Sequence, residues 1–383
     1  MRRETIITAI ITLVSLGIAF AAGWYTHQMI SPPELDLPVL SQAKQIILNH
    51  SYYPIPEDPA LEHGMIQGMV GALDDPYASF SEPVQHELSS DNFAGHFGGI
   101  GSQLSYNEEG LIVLYPNADS PAREAGLIDG DILVGVDDAL ITIEMDIHEA
   151  VALIRGPEGE KVQITIQRPP EMEEYSFEIK RARIDLPSVS SRPLDQYPHV
   201  GLIDINLIAA STTDEIIQAV EELQGQGVEY FILDLQGNGG GLLDGGIEIA
   251  RLFLEDGEII SQQFKGQDPK VYKVKEKGAL AELPIAVLID QNSASASEII
   301  AGALQVHGRA PLIGMPSFGK NTVQLVFTLD DESSIHVTSA VWWLPGGSAG
   351  EPFKLIPDIG AGEGELSYEQ VLELAVNYFN SLE

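Results

Sequence analysis

The chain has 383 residues, enough for two or three domains and a sizeable core. Its 20 Lys and Arg against 57 Asp and Glu give a net charge of −37, which repels nucleic acid and anionic lipid and argues against a phosphate-binding role. With no cysteine in the chain, thiol catalysis, disulfides and Cys-based zinc sites are excluded, and the redox compartment stays undecided.

Residues 5–23 form a run of 19 without a charge, preceded by Arg2 and Arg3 and followed by Trp24 and Tyr25. That length spans a bilayer, the arginines predict a cytoplasmic N-terminus, and the aromatics suit the far interface. A single-pass anchor over 1–29 is expected, with the rest of the chain extracytoplasmic. The alternative is a cleaved signal peptide, for which Ala19-Phe20-Ala21 offers a small-x-small site; both readings export the protein. Residues 31–38 are a Pro-rich spacer, and 41–49 and 61–73 have helical spacing of apolar residues, the second ended by Asp74-Asp75-Pro76.

Residues 93–183 change texture to short β-rich runs broken by glycine turns. Phe97-Gly98-Gly99-Ile100-Gly101 leads to Ser120-Pro121-Ala122, Ala125-Gly126-Leu127 and Gly130-Asp131, then a helix over 147–154 and strands over 161–168 and 175–179. Read from the residues alone, the glycines serve equally as turn formers. The region resembles a PDZ domain. The resemblance implies a loop whose backbone N–H groups take a peptide's terminal carboxylate while the peptide adds a strand to the sheet edge, and Gly99, Ile100 and Gly101 are its candidates.

From residue 200 the texture is α/β: a strand over 201–205, a helix over 213–223, a buried strand over 230–235, and a glycine loop, Gly237-Asn238-Gly239-Gly240-Gly241, opening a helix over 244–254. Such a loop can bind phosphate, but no Walker lysine or GxGxxG fingerprint is present. Residues 284–290 are a continuous apolar run, as for a strand buried on both faces of a parallel sheet. Ser295 followed by Glu298 fits a capping box, so a helix is expected to run from Ser295 to about Val306 and stop near Gly308. A strand over 311–314, a glycine loop over 317–321 and a strand over 322–327 follow.

Ser295 would then sit at a helix N-terminus, where free N–H groups favour an oxyanion. A serine needs a base; His307 ends the same helix three turns away, whereas Lys320 in the later loop can fold back, provided its pKa is lowered. Spacing alone fits a helix cap and a surface lysine as well as a dyad.

SASASEIIAGAL followed by GKNTVQ resembles the active-site signature of the C-terminal processing peptidases, or tail-specific proteases, and the likeness runs from about Val39 to the end. The resemblance implies that Ser295 is the nucleophile, that Lys320, 25 residues later, is the general base, and that Gln324 orients Lys320. It also implies an oxyanion hole from the N–H groups of Gly240 and Ala296. The chain departs from the family pattern at Gln236, Gly239 and Asn321, where Arg, Pro and Gly are usual.

The expected architecture is an α/β, crotonase/ClpP-like protease domain of βαβ units over 184–383, with an inserted mainly-β PDZ domain over 93–183, a linker and helical segment over 30–92, and the N-terminal transmembrane helix. The implied activity is a serine endopeptidase that takes protein or peptide substrates by unstructured apolar C-termini and needs no metal or cofactor. Nucleic acid is excluded as a partner, and a homo-oligomer is compatible with the sequence. Two rivals stay open: a peptide-binding adaptor with a decayed oxyanion loop, and a ligand-carrying or acyl-CoA role for the α/β domain, which would not need Ser295, Lys320 and Gln324 together.

Overall fold

The computed structural model describes residues 37–55, 59–360 and 366–382. The anchor expected over 5–23 lies outside the described residues; among those described, no helix is long and apolar enough to cross a membrane. The chain divides into two compact units, residues 1–65 and 66–383. In the first, the helix Pro38–His50 forms where apolar spacing predicts one, with none of its residues buried.

The second unit is built on a six-stranded sheet. Its order is Val189–Leu194, Tyr197–Ile205, Tyr230–Asp234, Ile285–Ile289, Leu312–Gly314 and Ile359–Gly360; the first pair is antiparallel and the rest are parallel. Every residue of Ile285–Ile289 is buried, as its unbroken apolar run demands. Side chains divide by the two-residue period of a strand. Ile203, Phe231, Leu233, Val287 and Ile289 join one core with the helices Thr212–Gly225, Leu243–Phe253 and Ala296–Val306. Leu202, Ile232, Ala286 and Leu288 join the other, with the closing helix Tyr368–Asn380.

A second, antiparallel sheet contains the strand expected over 322–327 and a strand-like run over 334–343; their pairing had no signal in the sequence. Its long strand Ser334–Trp343 pairs with Thr322–Thr328 along one edge, and with Ser79–Ser81 and Glu258–Phe264 along the other. Trp342 is fully buried in the first core, edge-on to Phe353. The helix Pro83–Ala94 was also unforeseen: no residue of it is buried, so it has no apolar stripe to read.

The inserted module enters and leaves through an antiparallel ribbon, His96–Gly99 against Ala182–Asp185. Between them lie a five-strand path with one short side strand and the helix Ile147–Ile154, closed over their own core of Ile100, Leu114, Leu127, Ala150, Ile164 and Ile166. The Gly130-Asp131 element is structural: Arg168 donates to both oxygens of buried Asp131, at 2.7 Å each.

Candidate active site

The Ile285–Ile289 strand, the Ala296–Val306 helix and the Leu312–Gly314 strand form a parallel crossover, which brings the helix start and the loop after the second strand to the same end of the sheet. Ser295 is the N-cap, at φ 56° and ψ −117°, a left-handed backbone that a side chain makes costly, on the order of 1–3 kcal/mol. Nothing in the sequence announces this strain. It is held in place by Glu298.

Glu298 is fully buried and closes the expected capping box, its Oε2 accepting from the Ser295 N–H at 2.8 Å. The same carboxylate accepts from the Lys320 N–H at 2.9 Å, the Gly319 N–H at 2.7 Å and the Ser317 hydroxyl at 2.5 Å. Four donors satisfy a buried charge that would otherwise cost several kcal/mol. The sequence marks Glu298 as a helix-capping residue; the structure adds that it fastens the Ser295 turn to the Lys320 loop.

Lys320 Nζ donates to Gln324 Oε1 at 3.0 Å and lies 4.6 Å from the centre of the Tyr77 ring. The Gln324 amide in turn donates to the Tyr77 carbonyl. Burial pushes the Lys320 amine below its ordinary value, against the pull of Asp75 and Glu298. Among the described residues Lys320 forms no ion pair. No hydrogen bond joins its amine to the Ser295 hydroxyl in this structure; the two residues meet through Glu298.

The glycine loop lies directly against Ser295. A Cβ on Gly240 would stand 2.9 Å from the Ser295 Cβ and 3.0 Å from the Ala296 nitrogen, and Gly240 has φ 103°, so only glycine fits. The Ala296 N–H, at the first position of the helix, donates to no acceptor among the described residues, whereas the Gly240 N–H donates to Asn238 Oδ1 at 2.7 Å. Of the two donors expected to face an oxyanion, one is open and the other is engaged.

Asn238 is itself buried and held by further bonds. Its Nδ2 donates to the Ile205 carbonyl at 2.6 Å, and its carbonyl accepts from the Ala294 N–H at 2.9 Å and the Ser297 hydroxyl at 3.0 Å. Of the departures from pattern, Gln236 has a buried Oε1 with no partner, and the Asn321 carbonyl accepts from the Trp342 N–H at 2.9 Å. Upstream of the loop, burial raises the Asp234 carboxyl to about 6 beside Tyr368. His307 is far from the chemistry in role, its ring bonded to the Glu258 carbonyl at 2.8 Å.

In the inserted module, Phe97, Ile100, Gly101, Leu104, Ile147 and Val151 line a cleft of about 230 Å3, with His148 and Arg155 at its wall. Gly99 ends a strand, Ile100 is buried with its side chain in the core, and Gly101 has φ 70°. The Ile100 and Gly101 N–H groups donate to no acceptor among the described residues. Arg155 lies 3.8 Å over the Phe97 ring and pairs with Asp91 at 2.8 Å. Among the described residues no group of three or more His, Asp or Glu side chains is arranged to hold a metal.

The model of peptidase family S41 matches residues 199–361, and that of the PDZ domain residues 112–168. Carboxy-terminal processing protease CtpA of Bacillus subtilis is 34% identical over 296 residues, covering 77% of this chain and 62% of its own length. Carboxy-terminal processing protease CtpB of the same organism is 34% identical over 327 residues, covering 84% of this chain and 67% of its own. A carboxy-terminal-processing protease of Bartonella bacilliformis is 34% identical over 313 residues, covering 80% and 71%. The chain thus spans less than two thirds of the first of these relatives and slightly more of the others.

Proposed function

This chain belongs to the S41 peptidase family, the family of the carboxy-terminal processing proteases, and from that premise we propose that it is a serine endopeptidase working through Ser295 and Lys320, with the PDZ module capturing unstructured, apolar C-terminal tails. We place it outside the cytoplasm, tethered by residues 5–23. The observation that carries the reading is the shared carboxylate of Glu298, which draws the backbones of Ser295 and Lys320 onto one group.

The neutral Lys320 amine takes the proton from the Ser295 hydroxyl as Oγ attacks the scissile carbonyl carbon. The Ala296 N–H receives the oxyanion, and Gly240 joins it by leaving Asn238 Oδ1. Collapse expels the amine, which takes the proton from Lys320 and leaves an acyl ester on Ser295. Water then attacks the ester carbonyl while the Lys320 amine takes one of its protons; Lys320 hands that proton to Ser295 Oγ as the ester C–O bond breaks, which restores the hydroxyl and the neutral amine and frees the new carboxyl group. Gln324 holds the amine throughout through Oε1. Apo hydrogen bonds of catalytic groups are often long, so the open Ser295–Lys320 pair fits a resting enzyme.

Because the neutral amine is the active form and burial lowers its pKa, kcat/KM rises with pH along a limb centred below the ordinary lysine value. A flat profile from pH 5 to about 10 would exclude Lys320 as base. The engaged Gly240 N–H and the unpartnered Gln236 side chain favour one second reading, a tail-binding adaptor without cleavage. Incubating the soluble chain with an unstructured protein bearing an apolar C-terminus separates the two: cleavage abolished in Ser295→Ala supports the peptidase, and binding without cleavage the adaptor.

A further inference from the structure

The sequence offers Asp74-Asp75-Pro76 as the end of a helix; in the structure the next residue reaches the Lys320 amine. Asp75-Pro76-Tyr77-Ala78 is a turn with Pro at its second position, closed by the Ala78 N–H to the Asp75 carbonyl at 3.2 Å. Asp75 pins it: Oδ1 accepts from the Tyr77 N–H and the Thr338 hydroxyl at 3.0 Å each, and Oδ2 from the Thr338 N–H at 3.1 Å. The Ser79–Ser81 strand that follows pairs with Ser334–His336 and fixes the direction of exit.

So anchored, Tyr77 makes two contacts with the base. Its ring centre stands 4.6 Å from Lys320 Nζ, and its carbonyl accepts from Gln324 Nε2. With the Gln324 amide nitrogen committed there, Oε1 is the end left for Lys320, at 3.0 Å. The phenol hydroxyl bonds to nothing among the described residues, so the ring is what faces the amine.

We propose that Tyr77 is a positioning residue of the reaction: its carbonyl fixes the Gln324 amide and its ring roofs the Lys320 amine against water, so that the nitrogen keeps a lone pair for the Ser295 proton. The inference rests on the Ser295–Lys320 reading. An ammonium in water is strongly hydrated, and an aromatic face returns only part of that stabilisation, so covering the amine favours its neutral form. The groups facing Lys320 are Tyr77 and Asp75 from the turn, Glu298 from the nucleophile helix and the neutral Gln324 from its own strand. The two carboxylates favour the ammonium, but each already accepts several hydrogen bonds, Glu298 four and Asp75 three.

The test compares Tyr77→Ala, Tyr77→Thr and Tyr77→Phe. Removing the ring admits water, so the midpoint of the kcat/KM limb moves up by about one pH unit, and on the rising part of the limb the rate falls about tenfold before converging with wild type at high pH. Tyr77→Phe keeps wild-type behaviour. Independently of cleavage, the 13Cε resonance of Lys320, assigned by its loss in Lys320→Ala, titrates at the higher pH in Tyr77→Ala or in Tyr77→Thr, whichever folds. An unmoved Lys320 titration, or Tyr77→Phe as impaired as Tyr77→Ala, overturns the role of the ring. Retained cleavage in Lys320→Ala instead overturns the dyad, and the resonance still decides what Tyr77 does to the lysine.

Discussion

Glu298 gathers four donors from two segments in a fully buried position, whereas the cleft beside the Ile147–Ile154 helix is lined mainly by apolar side chains, with His148 and Arg155 at its wall, and presents two backbone N–H groups that meet no acceptor among the described residues. The first region places atoms: a strained Ser295, a lysine that forms no ion pair among the described residues, a glycine pressed against the nucleophile. The second offers area and a strand edge. A buried polar network tolerates no missing partner, because the survivor keeps its desolvation cost. An apolar cleft degrades gradually. Damage to the two regions should therefore differ in kind as well as size.

The largest effect is expected at the reacting groups. Ser295→Ala and Lys320→Ala should each lower kcat by about 10^3-fold or more, and the double variant by no more than the worse single one, since the two act as a unit. Tail affinity, measured by titration with a peptide, should be unchanged in all three. Loss of affinity in step with rate would erase the contrast between the regions.

Next comes the residue that joins them to one frame. Glu298→Gln keeps the shape but turns one acceptor oxygen into a donor facing N–H groups, so kcat should fall about 10^2-fold and stability by about 3 kcal/mol, read by single-turnover cleavage and denaturant unfolding. If Glu298→Gln cleaves like wild type, the Ser295 and Lys320 loops are held by something else.

A second buried carboxylate, upstream of the glycine loop, carries a cost that pH exposes. Burial raises the Asp234 carboxyl to about 6 from 3.8, so the folded state binds a proton the unfolded chain has released between those values. Stability is fully present below pH 3.8, falls as pH rises, and above about 6 lacks up to about 3 kcal/mol, two units at 1.36 kcal/mol each. Asp234→Asn should remove most of that fall, so the gap between the variant and wild type in unfolding free energy should widen from pH 4 to pH 8. A constant gap would show that Asp234 does not titrate in this window.

The contrast also decides what could be read from sequence. Period and apolar runs disclosed the Ala296–Val306 helix, the central strands and the inserted module's helix, because each buries a stripe or a face. Family-like motifs put Ser295, Lys320, Gln324 and Gly240 in one neighbourhood, and the structure gathers them there. What stayed hidden has no local signature. The Pro83–Ala94 helix buries nothing, Asn238 capturing the Gly240 N–H depends on backbone two residues away in a left-handed loop, and Tyr77 meets Lys320 only because two strands of the second sheet place them together.

The smallest effect should come from the cleft, and it should be of another type. Val151 faces the cleft from the helix, so Val151→Asp puts a carboxylate where an apolar tail and its own terminal carboxylate would approach. The lost apolar contact and the like-charge repulsion together are of order 1.4 kcal/mol, about tenfold in KM, with kcat unchanged because Ser295 and its network lie outside the cleft. A substrate with an amidated, polar C-terminus makes little use of the cleft and should lose almost nothing. If instead kcat falls while KM holds, the cleft acts on Ser295 rather than on the tail. The link to examine would then be the Arg155–Asp91 pair, which ties the cleft wall to the Pro83–Ala94 helix, together with the bond of His86 on that helix to Thr328 at the end of the Gln324 strand.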